Sequence, residues 1–316
     1  MRDFKSGRRC AKFPCCLKTA ASFVEFMEIN SVGVVGAGVM GTGVSQVLGQ
    51  AGYKVTLVDI SHEALERART LIQKGLRLQT LFGKGESTVG AAKAMDSITL
   101  STEYSLLEEV SFVIENVVEE LEVKKDVFER LDRVCRIDCI FASNTSVIPI
   151  TRLASFTNRP DKVLGMHFMN PVTLKPTVEL IRGFHTSKET IGSAMTLLQS
   201  IGKEGIIVGD SPGFVINRVL MPMINEASYL VQEQVASVED IDRIFKTCLG
   251  HKMGPLETAD LIGLDTILSS IEALYESFGD SKYRPCPLLR KMVDAGLLGC
   301  KSGQGFYYYS DERVAI

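Results

Sequence analysis

One stretch, residues 31–59, leaves this chain few folds to choose from. Ser31-Val-Gly-Val-Val35 is short, apolar and β-branched, the composition of a strand buried on both faces. Gly36-Ala37-Gly38-Val39-Met40-Gly41 follows at once. The three glycines answer three physical needs: a tight turn at Gly36, close backbone approach to a pyrophosphate at Gly38, and close helix–strand packing at Gly41. A helix over roughly Val39 to Ala51 would then aim its N-terminal N–H groups at the phosphates. Gly52 closes it, Lys54-Val-Thr-Leu-Val58 reads as a second parallel strand, and Asp59 stands at that strand's carboxyl end, where adenosine ribose hydroxyls bind. Together these parts point to a dinucleotide. The alternative is a doubly wound domain with an empty glycine turn. A carboxylate at Asp59 repels a 2′-phosphate, and Ile60-Ser61 offers no arginine to receive one, so NAD is favoured over NADP.

Downstream, strands and helices keep alternating. His62 to Leu81 carries helix formers with apolar residues at Leu65, Ala68, Ile72 and Leu76; Gly83-Lys-Gly85 breaks it, and a second helical stretch precedes Ile98. This predicts a helical hairpin inserted into the crossover. Strands are expected at Phe112–Ile114, Cys139–Ala142, Val163–Phe168, Val178–Ile181 and Gly205–Val208, with helices at Glu120–Val134 and Lys188–Ile201. After Asp210 the pattern becomes helix only, until a β-rich run at Gly305-Phe-Tyr-Tyr-Tyr309. The expected fold is α/β, a Rossmann-like doubly wound and mostly parallel sheet, followed by an all-helical C-terminal domain. The expected units are 29–208 for NAD binding and 209–316 for the helical part.

Composition narrows the partners. A net charge of −3 over 316 residues gives no electrostatic case for nucleic acid or an anionic membrane, and no apolar run is long enough to span a bilayer. The eight cysteines form no CxxC or Cys/His metal spacing, which argues for reduced thiols, a cytoplasmic setting and no metal. Residues 1–28 are basic and poor in acids, but without an amphipathic period or a secretory apolar core they read as a dispensable leader rather than a targeting one.

A dehydrogenase needs a group to take the hydroxyl proton, and histidine is the usual choice near neutral pH. Of four histidines, His62, His185 and His251 sit in helix, loop or turn contexts, whereas His167 ends a predicted strand, where ligands bind in open α/β sheets. On position alone His167 is equally a base or a buried core histidine.

The sequence also resembles the L-3-hydroxyacyl-CoA dehydrogenase family. The resemblance rests on Ser143-Asn144-Thr145-Ser146, on His167-Phe-Met-Asn-Pro-Val172 with Glu179 twelve residues after the histidine, and on Asp210-Ser-Pro-Gly-Phe-Val-Ile-Asn217-Arg218. It extends to Met253-Gly-Pro255, Gly263-Leu-Asp265 and Lys301-Ser-Gly-Gln-Gly-Phe-Tyr307, and covers roughly residues 29 to 309. It implies that His167 exchanges the 3-hydroxyl proton, that Glu179 fixes its tautomer, and that Ser146 and Asn217 hold the reacting oxygen and the thioester side. It also implies that Glu119, Lys124 and Asn144 belong to the cofactor site; for Glu119 and Lys124 the plain alternative is a solvated helix face of paired charges.

Two departures stand near the substrate: Val147 where a second serine is usual, and Lys175-Pro176-Thr177 in place of a more hydrophobic run. The expected activity is therefore NAD-dependent interconversion of a 3-hydroxyacyl-CoA and its 3-oxo form. The alternatives are the same chemistry on an acyl-carrier-protein thioester, with Lys74, Arg77 and Lys84 able to serve either carrier, and a non-catalytic NAD-binding relative. A homodimer built through the helical domain is also implied.

Overall fold

The computed structural model describes residues 29–82 and 90–309; the expected leader, Lys84 and the Gly83–Gly85 break lie outside them. Eight strands form one sheet: β1 (Ser31–Val35), β2 (Lys54–Val58), β3 (Ile98–Ser101), β4 (Phe112–Glu115), β5 (Ile140–Ser143), β6 (Val163–His167), β7 (Thr177–Arg182) and β8 (Glu204–Gly209). Their order is β3-β2-β1-β4-β5-β6-β7-β8, parallel except where β7 runs against β6. The reversal of direction of build-up between β1 and β4 opens a crevice at their carboxyl ends. Around the sheet lie α1 (Val39–Gln50), α2 (His62–Phe82), α3 (Ala91–Asp96), α4 (Leu121–Val134), the short α5 (Ile150–Ala154) and α6 (Lys188–Ser200).

Alternation along the strands explains the layering. Phe112 and Ile114 of β4, Ile140 and Ala142 of β5, and Leu164 and Met166 of β6 pack toward α1, α2 and α6, whereas Val113, Phe141 and Val163 face α4 and α5. Both faces are covered, so these strands are apolar throughout, as parallel strands must be.

Beyond β8 come α7 (Ile216–Gln232), α8 (Val238–Leu249), α9 (Pro255–Ile262), α10 (Leu264–Phe278) and α11 (Pro287–Asp294), with their own cores. Two carboxylates shut off from water organise this domain. Asp242 accepts the N–H groups of Leu256 and Glu257 at the start of α9 and the Tyr307 hydroxyl. A Cβ on Gly254 would sit 2.1 Å from the Asp242 carboxyl carbon, so the glycine of Met253-Gly-Pro255 makes room for the acid. Asp260 likewise accepts Phe306 N–H, Tyr307 N–H and the Tyr309 hydroxyl. Burial raises the Asp260 carboxyl above its ordinary value despite these donors.

Two expectations are corrected. Gly305–Tyr309 is not a strand: only the isolated bridges Gly299–Gln304 and Gln304–Tyr308 occur, because the Asp260 carboxylate takes the N–H groups that a ladder would use. Ile98–Ser101, expected only as the residues after a helix, is the edge strand β3. No helix among the described residues is long and apolar enough to cross a membrane.

Replacing Asp260 by alanine leaves three donors without their acceptor, and each buried unpaired group costs about 1–3 kcal/mol. We expect Asp260→Ala to lower stability by at least about 3 kcal/mol in urea unfolding. A loss within error of zero would remove Asp260 from its organising place.

Candidate active site

The site forms at the carboxyl edge of the sheet. Antiparallel pairing of β6 and β7 sets His167 opposite Glu179, which brings residues twelve apart in sequence onto one cross-strand pair. The His167 Nδ1–Glu179 Oε2 distance is 2.8 Å, and both side chains are buried. With Nδ1–H donating to the carboxylate, Nε2 is left as the acceptor, and Ser146 Oγ lies 3.1 Å from it. Glu179 Oε1 accepts the N–H groups of Val215 (3.1 Å) and Ile216 (3.2 Å) at the start of α7. Burial pushes the Glu179 carboxyl up, but the imidazole and these two N–H groups outweigh it and hold it below the ordinary glutamate range. Asn217 completes the cluster through its Nδ2, 3.3 Å from the Ser146 carbonyl. The structure thus brings together His167, Glu179, Ser146 and Asn217, drawn from four segments.

Behind Ser146 stands a charged network. Glu119 accepts the Thr145 hydroxyl, Ser146 N–H at 2.8 Å and Val147 N–H at 3.1 Å. Lys124 does not lie on a solvated helix face: it is wholly buried, 2.7 Å from Glu115 Oε1 and 3.3 Å from Glu119 Oε2. Glu115 also accepts the Ser143 hydroxyl (2.6 Å) and Val117 N–H (2.6 Å). Burial disfavours the Lys124 ammonium, yet the two carboxylates raise its pKa above the ordinary value. Burial likewise works against the Glu119 carboxylate, while Lys124, Thr145 and the two N–H groups hold it below its ordinary value. Lys124 therefore sits behind Glu119 and fixes it. Val147 is buried and enters the site only through its N–H, so the hydroxyl usual at this position has no counterpart here.

Asn144 is spent on architecture. Its Nδ2 donates to Asn116 Oδ1 (2.8 Å) and its Oδ1 accepts Phe168 N–H (2.9 Å), tying the end of β5 to the residue after His167. The sequence reading missed Glu115, whose signal is a charged residue ending an otherwise apolar buried strand. It also missed Lys203, a buried ammonium that donates to the carbonyls of Val172 (2.6 Å) and Lys175 (2.7 Å) in the β6–β7 connection. Burial lowers its pKa. Lys74, Arg77 and Lys175 are exposed.

The glycine turn fits a dinucleotide. Gly36 adopts φ +99°, and a Cβ there would lie 2.6 Å from the Asn116 carbonyl oxygen. A Cβ on Gly41 would stand 1.8 Å from the Gly36 carbonyl oxygen, whereas one on Gly38 would meet nothing within 4 Å. Gly38 is the N-cap of α1, with no side-chain cap and no acidic residue in the first turn; Val39 is exposed and Met40 partly so. The helix therefore presents uncapped N–H groups to an open cradle. Asp59 Oδ2 accepts Ala37 N–H at 2.7 Å, placing the carboxylate beside the turn.

Comparison with known proteins bears on the family and the fold. The family model for the 3-hydroxyacyl-CoA dehydrogenase NAD binding domain matches residues 31–211, and that for the C-terminal domain matches residues 213–309. A probable 3-hydroxybutyryl-CoA dehydrogenase of Bacillus subtilis is 48% identical over 286 residues, covering 90% of this chain and 99% of that protein. The human mitochondrial hydroxyacyl-coenzyme A dehydrogenase is 36% identical, covering 92% and 95% respectively. The crystal structure of (S)-3-hydroxybutyryl-CoA dehydrogenase from Ralstonia eutropha superposes with a TM-score of 0.85 at 44% identity, covering 90% of this chain and all of that one.

The two glycines separate folding from binding. Gly41→Ala forces a methyl group into a backbone carbonyl, so thermal stability and NADH affinity should both fall. Gly38→Ala should leave the melting temperature near that of the wild type while weakening NADH about tenfold or more, by filling the cradle. Fluorescence titration with unchanged NADH affinity in Gly38→Ala would refute the cradle.

Proposed function

The chain belongs to the 3-hydroxyacyl-CoA dehydrogenase family and is an NAD-dependent dehydrogenase; from that premise we propose that it interconverts a 3-hydroxyacyl-CoA and its 3-oxo form through a His167–Glu179 pair. The observation that carries the reading is the continuous line from Ser146 Oγ through the imidazole to the Glu179 carboxylate. The names of the bacterial relatives support a four-carbon acyl group. NAD, when bound, supplies the two-electron redox chemistry. Gly36, Gly38, Val39, Met40, Gly41 and Asp59 line its cradle, and Glu119, held by Lys124, together with Asn144 shapes the end nearer the dyad.

In the oxidative direction Nε2 of His167 takes the 3-hydroxyl proton, and in the reductive direction it returns it. Glu179 keeps the proton on Nδ1 and stabilises imidazolium when it forms. Ser146 Oγ lies within reach of Nε2, so it also reaches a substrate oxygen bound there, and Asn217 offers an amide to the thioester side. We assign residues 29–208 to NAD binding and 209–316 to substrate binding and assembly. The free cysteines among the described residues fit a cytoplasmic setting.

NADH consumption is the direct test. Acetoacetyl-CoA should be reduced with saturable kinetics, and His167→Gln or Glu179→Gln should lower turnover on the order of 100-fold with NADH affinity kept. Matched acyl-carrier-protein thioesters form the other arm. Turnover confined to them would replace coenzyme A as the carrier, and normal turnover in His167→Gln would end the assignment of the base.

Assembly belongs to the same reading. Ile206 and Ile207 are exposed on the edge strand β8, as are Val219, Leu249 and Leu261 in the helical domain. We expect these apolar residues to be covered in a homodimer. Sedimentation of a monomer at micromolar concentration would contradict it.

A further inference from the structure

Phe214 precedes the two residues whose N–H groups hold Glu179, and its own conformation is unusual. Its φ is +48°, in the left-handed region that side-chain-bearing residues seldom occupy. Gly213 before it has φ +75°, and a Cβ there would lie 2.7 Å from Leu274 Cδ2 and 3.1 Å from Arg218 N. Two successive left-handed residues turn the chain sharply between β8 and α7. The turn is closed by Phe214 N–H to the Ser211 carbonyl at 2.8 Å and Arg218 N–H to the Gly213 carbonyl at 3.0 Å.

The turn has two results. Val215 and Ile216 point their N–H groups at Glu179 Oε1, and the Phe214 ring comes to lie 5.8 Å from the His167 ring, with the planes 59° apart. Although Phe214 belongs by sequence to the approach to α7, its side chain is 3% exposed and packs in the sheet-side core with Phe141, Ile150 and Val35. Glycine at this position would relieve the backbone. It would also leave one side of the imidazole without a packing partner, so the left-handed conformation is tolerated for the sake of the ring.

We propose that Phe214 is a positioning residue for His167: its ring fixes the imidazole plane so that Nε2 faces Ser146 and the substrate oxygen. The inference rests on the role given to His167 above. The orientation of the base is then set from the connection into the helical domain, because the turn that supplies the ring also supplies both N–H partners of Glu179.

A double-mutant cycle separates orientation from general structural damage. Turnover of acetoacetyl-CoA, NADH affinity and thermal unfolding are measured for wild type, Phe214→Ala, His167→Gln and the double variant. Phe214→Ala should lower kcat about tenfold or more, the size of effect expected of a misplaced catalytic group, and leave NADH affinity within about twofold. In the His167→Gln background the same change should cost less than about twofold, because no base remains to be aimed. Equal losses in both backgrounds, or normal turnover in Phe214→Ala, would overturn the proposal. If Phe214→Ala does not fold, Phe214→Leu takes its place in the cycle under the same criterion. Normal turnover in His167→Gln alone would overturn the underlying assignment instead, so the two failures are distinct.

Discussion

Shutting an ammonium group off from water is costly, and Lys124 offsets that cost with two carboxylates from the β4 end of the sheet. The consequences run outward. Glu115, gripped by Lys124, pins Ser143 at the end of β5 and the backbone at Val117. Glu119, gripped by the same nitrogen, gathers Thr145, Ser146 and Val147 into one tight turn. Ser146 then faces His167, His167 faces Glu179, and Glu179 reaches the first N–H groups of α7. A single line of hydrogen bonds and ion pairs therefore joins α4 to the helical domain. Each link is held by the one behind it, so the placing of Ser146 against His167 depends on a charge that is itself shut off from water.

Much of this was legible in the sequence, and the parts that were not share a cause. The glycine turn announces itself because Gly36 and Gly41 meet local steric needs, as the close approaches there bear out, while Gly38 leaves open space between them. His167 stood out by its place at a strand's carboxyl end, whereas Glu179 came only through a family pattern whose physical basis, a cross-strand pair between antiparallel strands, no local reading reveals. Glu115 shows in the sequence only as a charge ending an apolar strand, and its side-chain partners Lys124 and Ser143 stand 9 and 28 residues away; Lys203, whose partners lie 28 and 31 residues away, carries no sign of burial at all. Phe214 gave no signal either, since nothing in a phenylalanine predicts a positive φ. The Phe306–Tyr309 run misled through propensity: aromatic residues suit strands, but the buried Asp260 carboxylate takes the N–H groups of Phe306 and Tyr307.

The C-terminal signatures change meaning in three dimensions. Gly254 and Gly305 each stand where a Cβ would collide with the side-chain carboxylate of Asp242 or Asp260. Their place in the pattern follows from the space that two buried carboxylates occupy, and those carboxylates in turn satisfy N–H groups at a helix start and in the final turn. Resemblance in this part of the chain therefore reports on how the domain closes, while His167, Glu179, Ser146 and Asn217 meet at its junction with the sheet.

Lys203 grips the β6–β7 connection by main-chain carbonyls alone. Such a grip is blind to side-chain identity, because every residue type carries the same carbonyl. Thr173, Leu174 and Lys175 can thus be exchanged without loosening the loop that joins the strands of His167 and Glu179. The segment beside His167 and Glu179 thus has a path held independently of what its side chains are, and an exposed lysine at position 175 costs that path nothing.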